Sequence, residues 1–218
     1  MKKAKTIAAV MVLAVRVSSY AYDDGDFQVW NTDVQEFKVN KDLKAALEQE
    51  VRWGDNAHEF FYQHYDVGAF YGLNKYWNIG AGYRHVLSKT KGEFKIENEP
   101  YMTATLSGEA KGFKFEDRSR LEYQHFDYQT DSWRYRNKFT LKLPWKFTKM
   151  AIQPFLSEEA LVRFGVINEF NQNRFSSGLA MNLTKNIKAE IYYMLVSSKS
   201  RDNWIDSNVL GTKLKFSF

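Results

Sequence analysis

Cysteine is absent from the 218-residue chain. That excludes disulfides, thiolate chemistry, zinc–cysteine sites and the lipid attachment of a lipoprotein. Proline occurs only at Pro100, Pro144 and Pro154, and no linker or low-complexity stretch divides the chain. Outside the N-terminus no run of about 18 apolar residues exists, so there is no ordinary transmembrane helix. An excess of one charge is also lacking once the leader is set aside. The net charge of +5 includes Lys2, Lys3, Lys5 and Arg16 within residues 1–21, a stretch without an acid. The remainder holds 27 basic against 26 acidic residues, so nothing supports nucleic acid as a partner.

What the chain does have is 17% aromatic and 26% charged residues, with 44% hydrophobic overall. Met1–Ala21 reads as a secretory signal peptide: Lys2, Lys3 and Lys5 form the positive region, Ile7–Val15 a short apolar stretch, and Ser19 and Ala21 the small residues of a cleavage site. Cleavage after Ala21 leaves one domain, residues 22–218.

Short polar turns centred near 41, 75, 110, 147 and 185 recur at steps of 34, 35, 37 and 38 residues. Each step holds two strands. Between the turns, side chains alternate with period 2. Leu43, Ala45, Leu47, Gln49, Val51 and Trp53 share one face against Lys44, Ala46, Glu48, Glu50 and Arg52. Tyr135, Asn137, Phe139, Leu141 and Leu143 oppose Arg136, Lys138, Thr140 and Lys142. Phe175–Leu183 and Ile187–Leu195 repeat the pattern. These segments match the roughly 9–11 residues that a tilted strand needs to cross a bilayer. Ser88–Asn98 and Ser197–Asp206 read as longer polar loops, and the region around Pro154, Glu158 and Glu159 as a bulge.

The expected fold is all-β: an antiparallel up-and-down transmembrane β-barrel in a bacterial outer membrane. Ten strands follow Asn40. A short hairpin, Asp26–Trp30 and Val34–Val39, makes twelve; the alternative is ten strands with the N-terminal segment packed inside. The final strand places Leu210, Thr212, Leu214, Phe216 and Phe218 on one face. A terminal Phe preceded by alternate apolar residues resembles the signal read by the barrel-assembly machinery. Partners are therefore outer-membrane lipid and, during biogenesis, that machinery, with the barrel itself a monomer.

The segments Phe27-Gln28-Val29-Trp30, Leu47-Glu48-Gln49-Glu50-Val51-Arg52, Gly80-Ala81-Gly82-Tyr83, Arg118-Ser119-Arg120-Leu121-Glu122-Tyr123, Arg134-Tyr135-Arg136-Asn137 and Pro154-Phe155-Leu156 together resemble an uncharacterised family of bacterial outer-membrane barrels, domain of unknown function 2490. The resemblance runs from Phe27 to Phe218 and implies a barrel and an outer-membrane location. It supplies no activity and no catalytic residues. A weaker similarity extends to small monomeric porins that pass acidic oligosaccharides.

If apolar faces meet lipid, the reverse faces line a lumen. Arg or Lys on the lipid face costs about 2–4 kcal/mol at the midplane, which sets each strand's orientation. The expected lumenal charges are Glu48, Glu50, Arg52, Arg84, Glu116, Arg118, Arg120, Glu122, Arg134, Arg136, Lys138, Lys142, Arg174, Lys188, Glu190, Lys213 and Lys215. Basic residues dominate, which suits a passive channel for small anionic solutes. The alternative is a non-conducting barrel, with Arg118, Arg120, Arg134 and Arg136 paired to Glu48, Glu50, Glu116 and Glu122. No cofactor or metal site is expected: His58 and His64 are six residues, or about 20 Å, apart along a strand. A third reading, a lipid-modifying enzyme, rests on His125 near Ser132. No catalytic residue is assigned, since no Gly-x-Ser-x-Gly motif occurs. Tyr71, Tyr76, Trp77 and Trp145 at the short turns, and Trp53, Trp133 and Trp204 at the other end, read as two aromatic girdles.

Overall fold

A computed structural model describes residues 23–165, 168–200 and 203–218; the leader read as a signal peptide, Met1–Ala21, lies outside the described residues. Eleven strands follow one another: β1 (Asp26–Lys38), β2 (Leu43–Gly54), β3 (Glu59–Gly72), β4 (Trp77–Thr90), β5 (Glu93–Ala110), β6 (Phe113–Phe126), β7 (Ser132–Lys142), β8 (Gln153–Phe164), β9 (Glu169–Asn182), β10 (Ile187–Ser200) and β11 (Asn203–Ser217). Each pairs with the next, and β11 returns to β1, so the sheet is a closed barrel. Closure leaves no free edge, which satisfies every ladder hydrogen bond without help from solvent.

The strand number is eleven, not twelve or ten. The segment expected to fold as a hairpin is the single strand β1, continuous through Asn31-Thr32-Asp33. An odd count in an up-and-down barrel forces the first and last strands to run the same way. β1 accordingly pairs with β11 in parallel, from Asp26↔Ser207 to Glu36↔Ser217, while all other neighbours are antiparallel.

The C-terminal rim carries Phe218 and the connections after β1, β3, β5, β7 and β9; the opposite rim carries those after β2, β4, β6, β8 and β10. The expected contrast of short turns and long loops does not hold. Ser88–Asn98 is mostly strand, because β4 and β5 pair out to Thr90↔Glu93. They are joined by Lys91 and Gly92, at φ 53° and 85°, the left-handed pair that a tight two-residue hairpin requires. Ser197–Asp206 is likewise strand up to Ser200 and again from Asn203. The longest connection, 143–152, lies at the C-terminal rim and is held by a bridge between Phe147 and Ile152. The irregularities fall elsewhere than expected: at Arg52/Trp53, where Phe61 is the extra residue of β3, and at Leu161/Val162, where Asn171 is the extra residue of β9.

The barrel is inside-out. Among the described residues, twenty polar or charged side chains are buried against eleven hydrophobic ones, while thirty-two large apolar or aromatic side chains are exposed. Interior positions hold the charges; exterior positions hold the hydrocarbon. Tyr71, Tyr76, Trp77 and Trp145 are exposed at the C-terminal rim, and Trp133 and Trp204 at the opposite rim. Inside, glycines make room for rings. A Cβ on Gly82 or Gly68 would strike Tyr101, and one on Gly211 would strike Tyr192.

Candidate functional site

The site is the barrel interior, and it is built by strand parity. The registers place all seventeen charged residues expected in the lumen on interior faces. Leu210, Thr212, Leu214, Phe216 and Phe218 lie on the outer face of β11, where Phe218 stacks on Phe37 at 5.3 Å.

At mid-height the interior side chains form a closed circuit. The Arg52 guanidinium lies between the rings of Trp30 and Tyr62, at 3.6 and 3.9 Å. Tyr62 Oη is 3.0 Å from His64 Nδ1, and His64 Nε2 is 3.2 Å from Glu48. Glu48 contacts Arg84 at 3.5 Å, and Arg84 grips Asp66 through Nε at 3.1 Å and Nη2 at 2.9 Å. Arg120 lies 3.6 Å from Asp66 and 3.7 Å from Glu122. Arg136 donates to Glu122 at 3.1 Å and to Glu159 at 2.8 Å. Glu159 accepts from Arg174 at 3.3 Å, and Arg174 stands 5.3 Å from the Trp30 ring, which closes the loop. Arg134 reinforces it from the opposite-rim side, donating to Glu122 at 2.5 Å and to Glu99.

Arginines and carboxylates alternate through this level: Arg52, Arg84, Arg118, Arg120, Arg134, Arg136 and Arg174 reach Glu48, Glu50, Asp66, Glu99, Glu122 and Glu159. Burying a charge is tolerable only when it is paired and hydrogen-bonded, and the arginine fork meets several carboxylates at once. The pairing differs in detail from the expected one. Arg120, Arg134 and Arg136 do reach Glu122, but Arg118 reaches Glu159 at 3.0 Å. Glu50 is taken by Arg52 at 2.5 Å, while Glu116 has no ion pair among the described residues.

The space left at this level is a void of about 110 Å³, lined from ten of the eleven strands, all but β5. Towards the C-terminal rim it widens into a vestibule of about 800 Å³. Arg118, Lys138, Phe155, Ser157, Glu190 and Lys213 line both and form the vestibule floor. The vestibule walls carry seven lysines, Lys75, Lys114, Lys138, Lys142, Lys188, Lys213 and Lys215, against Glu109, Glu116 and Glu190. The lining of the narrow void carries seven basic side chains against Glu48, Glu50, Glu159 and Glu190, and the wide vestibule is more strongly basic still.

Sequence reasoning missed Asp66, Glu97, Glu99 and Glu159 as interior carboxylates, and Trp30, Tyr62 and His64 as parts of the circuit. For Glu159 a signal existed: it shares parity with Phe155, Ser157 and Leu161, all buried. His125 and Ser132 are not brought together. His125 Nδ1 is 2.9 Å from Asp131 Oδ2 at the opposite rim, whereas Ser132 is buried and donates to Gln124. In that connection Asp131 is held down to about 2 by contacts from His125, Tyr123 and the Phe126 amide. Among the described residues no group of three or more His, Asp and Glu could hold a metal.

A family model described as "Protein of unknown function (DUF2490)" matches residues 27–207. The chain belongs to this family. The DUF2490 match covers every strand from β1 to β10 and the start of β11, so the interior circuit lies within it. No curated protein and no solved structure matches the chain, and the similarity to small oligosaccharide porins gains no support from either comparison.

Proposed function

We propose that this DUF2490 barrel is an integral outer-membrane protein whose lumen is closed at mid-height, a non-conducting barrel rather than a passive channel. The membrane reading is supported by the exposed hydrocarbon of the outer faces, the aromatic side chains at both rims and the expected secretory leader. Such a band, flanked by aromatic girdles, belongs against acyl chains. A soluble protein seldom exposes so much contiguous apolar surface. The C-terminal strand, with Phe216 and Phe218 on its outer face, suits recognition by the barrel-assembly machinery.

The observation that carries closure is the void of about 110 Å³ inside the circuit from Trp30 through Arg84 and Arg136 back to Trp30. Barrels of this width lie between filled ones and open porins, and here bidentate guanidinium contacts fill the section. The test is planar-bilayer recording of the purified chain. No stepwise conductance is expected at moderate voltage. Regular steps with anion selectivity would overturn closure. Membrane location is tested separately by fractionation: extraction only with detergent supports it, and release into the soluble periplasmic fraction refutes it.

A further inference from the structure

We propose that the vestibule at the C-terminal rim is a binding chamber for a soluble multivalent anion, carrying two or more phosphate or carboxylate groups, held by Lys138 and Lys188 with Lys213 and Arg118 at the floor. Three cross-strand pairs put like charges directly opposite each other on the interior face: Arg118↔Lys138, Lys114↔Lys142 and Lys188↔Lys215. Such pairs are destabilising. Deeper in the barrel the chain answers the same arrangement with a carboxylate: Arg120 and Arg136 are also opposed, and both contact Glu122.

In the vestibule the answer is incomplete. Lys142 finds Glu190 at 3.2 Å, Lys114 finds Glu109 at 3.4 Å and Lys215 finds Glu36 at 3.1 Å. Lys138 and Lys188 have no carboxylate within 4.0 Å among the described residues. Lys138 is half-buried and Lys188 is exposed to the vestibule, and a cleft lined by an excess of one sign of charge raises the local concentration of the opposite ion. A local rule broken without compensation marks a functional site more often than an accident.

The chamber's volume of about 800 Å³ is that of a small-molecule site. Lys138 stands on β7 and Lys188 on β10, and an anion with several linked charged groups can meet lysines on both strands at once. Lysines act as point charges and do not demand the planar partner that an arginine fork selects, so phosphates and carboxylates both fit. The chamber rests on the closure proposed above only for being blind-ended. Conductance would refute closure and leave binding intact, whereas absent binding would refute the chamber in a silent barrel.

The test is isothermal titration of the purified chain in zwitterionic detergent with tripolyphosphate and with citrate, against sodium chloride at matched ionic strength. Saturable binding of one anion per barrel is expected. Lys138→Gln combined with Lys188→Gln should weaken it at least tenfold, while Lys199→Gln at the opposite rim should leave it unchanged. The double variant removes repulsion, so its urea midpoint should be no lower than the parent's. Should it fail to fold, lysine acylation of the parent read by mass spectrometry decides: tripolyphosphate should protect Lys138 and Lys188 selectively. No saturable heat with either anion, a double variant within twofold of the parent, or no protection of these lysines would overturn the proposal.

Discussion

Replacing Glu122 by Gln removes one negative charge from the centre of the circuit and almost no volume. Glu122 is fully buried, with Arg134 at 2.5 Å, Arg136 at 3.1 Å and Arg120 at 3.7 Å. The amide oxygen can still accept from one guanidinium, but its NH2 group turns a donor towards other donors. Three buried cations would then share the remaining carboxylates, Glu99, Glu159 and Asp66. Breaking a buried ion pair by deleting one partner costs about 3–5 kcal/mol, since the other charge stays behind uncompensated. That is two to three and a half decades in the unfolding equilibrium. Glu36→Gln supplies the contrast: its carboxylate sits near the C-terminal rim, 22% exposed, with Lys215 at 3.1 Å and Lys44 at 3.6 Å, and its loss should cost about 1 kcal/mol or less. Urea unfolding of the chain refolded into detergent, followed by tryptophan emission, measures both. A Glu122→Gln cost under about 1 kcal/mol, equal to that of Glu36→Gln, would refute the claim that the network is a desolvated structural element. A cycle with Arg136→Met should then show a coupling of at least about 1 kcal/mol, as expected for residues in one network.

Trp30→Ala removes the ring that Arg52 and Arg174 both face and leaves a cavity beside Met194, Val196 and Val209. A loss of about 3–5 kcal/mol is expected in the same urea assay. Glu158 lies on the outer face, cross-strand from Phe139 and Phe175; Glu158→Leu should stabilise the barrel in lipid bilayers, by under about 2 kcal/mol, since a lipid-facing acid costs less than a base. No gain in bilayers, against the same variant in detergent, would count against a lipid contact there. Asp131, at the opposite rim, sits at about 2 in place of its ordinary 3.8. A carboxyl depressed by folding contributes stability above its unfolded value and loses it as pH falls through the folded one. The connection after β6 should therefore loosen between about pH 4 and pH 2, read as faster amide exchange at Phe126, and Asp131→Asn should abolish that pH dependence.

The strands that were legible are those whose two faces differ in solvent. In β7, Tyr135, Phe139 and Leu141 face outward while Arg134, Arg136 and Lys138 face the interior, so hydropathy alternates cleanly. β1 hides this signal because both of its faces are mixed. Trp30 and Val34 point inward, whereas Asn31 and Asp33 point outward with Phe27 and Phe37. Hence the false hairpin, and with it the wrong parity. In β8 the adjacent Glu158 and Glu159 fall on opposite faces, which looks like lost alternation although the strand there is regular. Ser88–Asn98 reads as a loop because Ser88-Lys89-Thr90-Lys91-Gly92-Glu93 carries no apolar residue, and Phe94 and Ile96 alone are too short a run to establish a period. The circuit was illegible for a different reason: which carboxylate an interior arginine reaches depends on strand number and register. Arg118 on β6 passes β7 to reach Glu159 on β8, a choice that no local pattern encodes.

Odd parity also explains why the circuit is placed where it is. A parallel ladder is slightly weaker per residue than an antiparallel one, and the single parallel seam of this barrel, β1 to β11, is also its point of closure. Side chains back that seam on both faces. Outside, Asn31 donates to Thr212 at 3.0 Å; inside, Gln28 contacts Ser207 at 3.3 Å and accepts from the Trp30 indole at 2.9 Å. From β9, Arg174 reaches past β10 and β11 to the Trp30 ring, and from β2, Arg52 packs on the same ring. One aromatic side chain on the weakest-paired strand is thus held from both sides by cations anchored to Glu159 and Glu50. A ring of contacts that begins and ends at the seam does two things at once: it locks the closure of the sheet and it fills the lumen. Below it, where the section is wide, Lys215 of β11 still bridges the seam to Glu36 of β1. Lys138 and Lys188 lie away from the seam on β7 and β10, and their charge is left over for something other than holding the barrel shut.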